Sequence, residues 1–230
     1  MHFLIPAAGM GRRMGSDRNK ILLSVLGHPL IVWNLLAAEE AERISWIGII
    51  CQPGDRRELT QIIEQLPLTK PVTFIAGGDR RQDSVYSGLW ALPNNAKHVL
   101  IHDGARCLAT ANLFDRCAAA LQTCSGLVAA IPVKDTIKVV DSEGVIIDTP
   151  KRQHLWAAQT PQGFEVDLLK QCHAQGQQQG WDVTDDAALF EKCGLPVHIV
   201  EGEETNLKIT TPVDLAIAEF ILQQRQAAAG

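Results

Sequence analysis

Most features that would place a chain of 230 residues in a special class are missing from this one. No apolar run is long enough to span a bilayer, and the N-terminus lacks the charged, apolar, small-residue pattern of a secretion signal. Both absences predict a cytoplasmic protein with no membrane partner. A basic field is also missing: 21 Lys and Arg against 26 Asp and Glu give a formal net charge of -5. That balance argues against a nucleic-acid partner. The six cysteines (Cys51, Cys107, Cys117, Cys124, Cys172, Cys193) form no C-x-x-C pair and no zinc-ligand spacing. They read as small buried hydrophobes in a reducing compartment, with Cys107 singled out because it adjoins a charged motif. Internal repeats and linker-like segments are absent, so a single domain over residues 1–230 is expected.

What is present begins with Pro6-Ala7-Ala8-Gly9-Met10-Gly11-Arg12-Arg13-Met14, closed by Lys20, directly after the apolar run His2 to Ile5. Two glycines one residue apart let the backbone turn tightly and approach a ligand. Successive N–H groups in such a turn form an anion-binding concavity, and two arginines and a lysine add full charges. The inference is a polyphosphate site, specifically for a nucleoside triphosphate. Met14 occupies the position where a dinucleotide fingerprint needs a third small residue, and the Gly-Lys-Ser/Thr of a Walker motif is absent. The bland alternative is a glycine turn followed by two solvated arginines.

Apolar patterning along the rest of the chain alternates strand and helix. Strands are expected at Trp46–Cys51, Val72–Ile75, His98–His102, Gly126–Pro132 and Val197–Val200. Helices are expected at Pro29–Ala41, Glu58–Leu66, Arg81–Ala91, Leu113–Thr123, Val166–Gln175, Asp185–Cys193 (N-cap Thr184) and Pro212–Gln224. Gly176-Gln177-Gln178-Gln179-Gly180 reads as a polar turn and Gln226 to Gly230 as a frayed tail. This rhythm predicts an α/β fold: a single Rossmann-like domain around a mostly parallel sheet. Ligands of such sheets bind outside the carboxyl ends of the strands. Gly77-Gly78-Asp79, Asp103-Gly104-Ala105-Arg106 and Lys134-Asp135-Thr136 follow strands, so they should share one rim with the glycine loop. Residues 137–150 break the rhythm and read as a protruding β-hairpin, either a dimerisation arm or a plain surface excursion.

The combined motifs resemble a known family. Pro6-Ala-Ala-Gly-x-Gly-Arg-Arg-Met14 with Lys20, Gly77-Gly-x-x-Arg-x-Asp-Ser-Val85, His102-Asp-x-Ala-Arg106, Asp135-Thr136, Gln159-Thr-Pro-Gln162, Thr184-Asp185 and Asn206-x-Lys208 are similar to the 2-C-methyl-D-erythritol 4-phosphate cytidylyltransferases. The resemblance spans nearly the whole chain; each motif is weak, but their order and spacing together are specific. It implies a nucleotidyltransferase-type fold and transfer of CMP from CTP to a sugar-alcohol phosphate in the non-mevalonate isoprenoid pathway, with release of pyrophosphate. It implies that Arg13 and Lys20 stabilise the transition state. Ala7, Ala8, Gly9, Gly11, Gly78, Asp79, Ser84, Asp103 and Ala105 are then nucleotide contacts. Asp135, Thr136, Arg152, Thr160 and Lys208 serve the second substrate, with Arg152 and Lys208 also counted as catalytic. The family's arginine at Arg152 reaches a neighbouring subunit, which implies a homodimer built through the hairpin arm.

Beside the resemblance stands the chemistry. A hard divalent cation prefers carboxylate and phosphate oxygens, which makes Asp103 the candidate Mg²⁺ ligand; an aspartate capping the next helix is the compatible alternative. Arg106 is expected to hold its loop by an ion pair, and Asp83 to be a helix-start charge. Lys20 and Arg152, taken without context, would be surface cations. The chain departs from the family at Asn19, where proline is usual, at Ile21-Leu22, and at Gly104 and Cys107, which replace an alanine and a proline. The rivals are a ribitol 5-phosphate cytidylyltransferase of the same fold and, from another class, a non-catalytic CTP-sensing module. A dinucleotide-dependent oxidoreductase is disfavoured by the incomplete glycine fingerprint.

Overall fold

Continuous apolar runs, rather than alternating ones, set the strands, because a parallel sheet is covered by helices on both faces. The computed structural model describes residues 1–9 and 19–229. In chain order, β1 (His2–Pro6) precedes a small hairpin of β2 (Ser24–Val25) and β3 (His28–Pro29). Then come α1 (Leu30–Glu40), β4 (Trp46–Cys51), α2 (Arg56–Ile63), β5 (Val72–Ala76), α3 (Arg81–Trp90), β6 (His98–Ile101), α4 (Ala111–Ala120) and β7 (Gly126–Pro132). An arm of β8 (Val139–Val140) and β9 (Ile146–Asp148) follows. The chain continues with β10 (Trp156–Glu165), α5 (Val166–Gln179), α6 (Asp186–Lys192), β11 (His198–Glu201) and α7 (Pro212–Ala229).

The central sheet has seven strands in the order β11-β7-β10-β6-β1-β4-β5. Strand β10 runs antiparallel to both neighbours, and the other pairs are parallel. Successive residues of β1 feed opposite faces. Phe3 and Ile5 join a core with α1 and α4, while Leu4 joins the one formed with α3, α5 and α6. On α4, Phe114 is fully buried, with its ring 4.7 Å from Phe3 and 5.0 Å from His102. Among the described residues no helix is long and apolar enough to cross a membrane.

The expected α/β fold and mostly parallel sheet are present, and four local expectations need correction. Strand β10 was not foreseen; Gln159, Thr160, Pro161 and Gln162 give it a polar, proline-containing centre that local propensity assigns elsewhere. Those side chains are buried and satisfied by distant partners, as described below. Helix α5 continues through the Gly-Gln stretch to Gln179 and ends on Gly180 in the left-handed conformation, φ 65°. Gly176 inside it is a packing residue: a Cβ there would stand 2.8 Å from Leu189 on α6. The N-cap of α6 is Asp185, not Thr184, and its carboxylate accepts from the Ala188 N–H at 2.9 Å. Helix α7 extends to Ala229, past the expected end at Gln224 and through most of the expected frayed tail.

The arm pairs β8 with β9 around a turn containing Gly144, φ 83°. Its apolar side chains, Val139, Val140, Val145, Ile146 and Ile147, are all exposed. The sheet core predicts that Phe114→Ala, which empties the space between β1 and α4, lowers the free energy of urea unfolding by about 3–5 kcal/mol.

Candidate active site

The parallel strands β1, β5 and β6 deliver their carboxyl ends to one edge. The loops leaving them enclose a cleft of about 390 Å³, within the ordinary range for a small-molecule site. Its wall is Pro6 to Gly9 after β1, Gly78 to Arg81 with Ser84 after β5, and Asp103 to Ala105 after β6. Lys20, Ile21, Lys208 and Thr210 complete it. Close approach of two loops requires the glycine pair. A Cβ on Gly77 would lie 2.4 Å from that of Ala8, and one on Gly78 would lie 2.7 Å from that of Asp83. The Ser84 hydroxyl accepts from the Gly78 N–H at 3.0 Å and pins the turn.

Lys20 opens a short 3-10 turn whose cap is Asn19. The Asn19 amide donates to the Ala7 carbonyl at 2.6 Å and to Asp55 at 2.7 Å, and its oxygen accepts from the Ile21 N–H. An asparagine thus ties the lysine to the exit of β1 at the position where the resemblance led to proline being expected. The departures at residues 21 and 104 face each other: a Cβ on Gly104 would sit 3.0 Å from Ile21 Cγ2, a tight contact. Cys107 is buried, and burial pushes its thiol up to about 12. It is therefore an inert packing group, as the remaining free cysteines were expected to be.

Two carboxylates, Asp79 and Asp103, line the cleft, and Asp103 is the one flanked by two cations. Lys208 Nζ lies 2.7 Å from its Oδ2, and Arg81 Nε lies 3.6 Å from its Oδ1. Burial alone would raise this carboxyl, but Arg81 and Lys208 overcome it and hold Asp103 well below the usual carboxylate range. Its backbone is fixed by a buried chain of hydrogen bonds. The Asp103 N–H donates to Thr160 Oγ1 at 3.0 Å, and that hydroxyl is 3.0 Å from His102 Nδ1. His102 Nε2 is 3.1 Å from the Arg106 carbonyl. Since a carbonyl only accepts, Nε2 carries the proton, and Nδ1 accepts from Thr160. Arg106 does hold its loop, but through the Asn206 carbonyl at 2.6 Å rather than the expected ion pair. Asp83 lies in the first turn of α3 and pairs with Arg80, consistent with its reading as a helix-start charge.

Of the residues proposed from sequence, Ala7, Ala8, Gly9, Lys20, Gly78, Asp79, Ser84, Asp103, Ala105 and Lys208 line this one cleft. Gly11 and Arg13 lie outside the described residues. Thr160 lies buried behind Asp103. Asp135, Thr136 and Arg152 are exposed and do not line the cleft; Arg152 donates to the Lys134 carbonyl. Sequence reasoning gave no role to Arg81, although it stands inside the quoted Gly-Gly motif, and none to Asp186, which reads as one more helix-start acid.

A 2-C-methyl-D-erythritol 4-phosphate cytidylyltransferase family model matches residues 1–224. The chain belongs to that family. It is 68% identical over 225 residues to the 2-C-methyl-D-erythritol 4-phosphate cytidylyltransferase of Nostoc sp. (strain PCC 7120), covering 98% of this chain and 99% of the relative. It is 69% identical to the enzyme of that name from Crocosphaera subtropica, with the same coverage. The crystal structure of 4-diphosphocytidyl-2C-methyl-D-erythritol synthase from Anaerococcus prevotii superposes with a TM-score of 0.86 at 30% identity, covering 96% of this chain and 97% of that one. The Thermus thermophilus cytidylyltransferase gives 0.79 at 34% identity, covering 96% and 98%.

Two motifs of the cytidylyltransferase family act here as clamps. Gln162 on β10 donates to Asp185 at 2.7 Å and accepts from the Ala187 N–H, locking α6 to the sheet. Asn206 donates to the Thr160 carbonyl at 2.8 Å and brings the Lys208 segment to β10. Burial pulls His102 down to about 4 from about 6.5 in an unfolded chain. The unfolded state therefore takes up the proton first as pH falls. Stability from the neutral ring is complete above about pH 6.5 and is lost between about 6.5 and 4, by roughly 3 kcal/mol. The difference in urea stability between pH 7.5 and pH 4.5 should accordingly be smaller in His102→Asn than in the parent, and an unchanged difference would refute the assignment.

Proposed function

We propose that this chain transfers CMP from CTP to 2-C-methyl-D-erythritol 4-phosphate, giving 4-diphosphocytidyl-2-C-methyl-D-erythritol and pyrophosphate. The observation that carries the reading is the convergence of Lys20, Arg81, Asp103 and Lys208, from four separated segments, on a glycine-walled cleft at the sheet edge. An oxygen of the phosphate monoester attacks the α-phosphorus of CTP. A new P–O bond forms, the bond from the α-phosphorus to the bridging oxygen breaks, and pyrophosphate leaves with the electron pair. The nucleophile is already an anion, so no strong base is needed. The difficulty lies in bringing anions together and stabilising charge on a crowded phosphorus.

In this reading Lys20 and Arg13 neutralise the triphosphate as it reacts. Backbone around Ala7, Ala8, Gly9, Gly11 and Gly78, with Asp79, Ser84 and Ala105, selects the nucleotide. Lys208, Thr160, Asp135, Thr136 and Arg152 orient the second substrate. An ionised carboxylate at Asp103 fits a Mg²⁺ ion held mainly by phosphate oxygens and water. Among the described residues no group of three His, Cys, Asp or Glu side chains could hold a metal without the substrate. When bound, the ion would offset phosphate charge, and Asp103 would anchor it. Arg152 stands off the cleft of its own chain, and the exposed apolar arm supports a homodimer in which it serves the partner's cleft. Six free thiols suit a reducing cytoplasm.

Lys20→Ala should fold normally and lower kcat by at least about 100-fold, as removal of a transition-state cation does; wild-type turnover would refute the catalytic role of Lys20, and no turnover in the parent would leave the CTP-sensing alternative. Pyrophosphate release with CTP should be far faster on methylerythritol phosphate than on ribitol 5-phosphate. Comparable rates would favour the ribitol reading. Mixing inactive Lys20→Ala and Arg152→Ala chains should restore activity, because a mixed dimer holds one site built wholly from intact residues.

A further inference from the structure

The cleft carboxylate is backed by a row of alternating charges that its chemistry does not use directly. Lys208, Asp103, Arg81 and Asp186 follow one another, with the His173 ring 3.4 Å from Asp186 Oδ1. Arg81 begins α3, Asp186 begins α6 and His173 lies on α5. Asp186 is 2% exposed and His173 fully buried. Burying a carboxylate this deeply is costly, and a buried ion pair is by itself weak grounds for stability.

The two contacts of Arg81 are unequal. Its Nη1 lies 2.8 Å from Asp186 Oδ2, while its Nε lies 3.6 Å from Asp103 Oδ1. The first has the length of a charge-assisted contact, and the second exceeds hydrogen-bond length. At 3.6 Å the guanidinium still favours an ionised Asp103, yet leaves Oδ1 uncovered. Without Asp186, Arg81 would be drawn onto Asp103 and form the bidentate pair that arginine and carboxylate prefer. His173 sits against the other Asp186 oxygen and, with its ring 5.8 Å from Tyr86, limits rotation of that carboxylate.

We propose that Asp186 is a positioning residue that holds Arg81 back from Asp103, so that Asp103 keeps a carboxylate oxygen for the metal and triphosphate. The inference rests on the reading of Asp103 as the metal-anchoring carboxylate.

The test is calorimetric titration of the intact enzyme with CTP, with and without Mg²⁺, alongside thermal midpoints and the Mg²⁺ dependence of kcat and KM. Asp186→Asn should bind CTP alone as the parent does, and should lose about tenfold or more of the affinity gained from Mg²⁺, as outer-shell changes do. Raising Mg²⁺ should recover kcat, and Asp186→Glu should restore part of the gain. A merely structural Asp186 would lower the midpoint and leave the Mg²⁺ gain intact in the folded variant, which overturns the proposal. Asp186→Ser, which likewise releases Arg81 toward Asp103, should show the same loss and serves if Asp186→Asn fails to fold. Asp103→Asn separates the two levels. If it keeps the Mg²⁺ gain, the reading of Asp103 fails and this inference with it. If it loses the gain while Asp186→Asn keeps it, only the inference fails.

Discussion

An aspartate kept ionised where burial would neutralise it is the constraint around which this molecule is arranged. Asp103 stays charged because Arg81 and Lys208 flank it, and those two side chains come from segments far apart in the chain. Lys208 can reach it only because the segment after β11 is drawn across β10 by Asn206 and Arg106. Arg81 faces it because α3 starts directly behind the glycine pair that closes against the β1 loop. Each tie is a hydrogen bond at least partly buried or a close approach at a glycine, and each is held in place by the apolar packing on either face of the sheet.

The antiparallel strand β10 lies at the centre of this arrangement. An all-parallel sheet would bring only strand ends to the rim. Inserting β10 between β6 and β7 places Thr160 against the backbone of Asp103, and Gln162 against the start of α6. The irregularity between Ala158 and Gln162 falls where these polar groups turn toward their partners. Polar residues in a buried strand are expensive unless satisfied. Here the expense sets the position of the cleft wall, and the neutral His102 ring forms part of the same chain of hydrogen bonds.

The residues at which the chain departs from the expected motif, Asn19, Ile21 and Gly104, fall together around Lys20. Asn19 supplies through three hydrogen bonds the restraint that proline would supply covalently. Gly104 and Ile21 lie against each other in one tight contact. None of these residues is charged, so the cations and carboxylates lining the cleft are not among the departures.

Residues read in isolation were enough for the strands β1, β4, β5, β6 and β7 and for most helices, since an uninterrupted apolar run or an amphipathic one is a local property. The Gly-Gly turn and the placing of Asp103 at a strand end were likewise legible, because tight turns and strand-end charges announce themselves over a few residues. Strand β10 was not: nothing local in Gln159-Thr160-Pro161-Gln162 pays for burying polar groups, and their partners lie dozens of residues away. Nor could sequence tell that Asp186, apparently an ordinary acid at a helix start, would be sealed against Arg81, or that Arg152 would stand apart from Lys208. Which charges meet is decided by long-range packing of the sheet and its helices, because Coulomb and hydrogen-bond energies depend on distances that chain order does not encode.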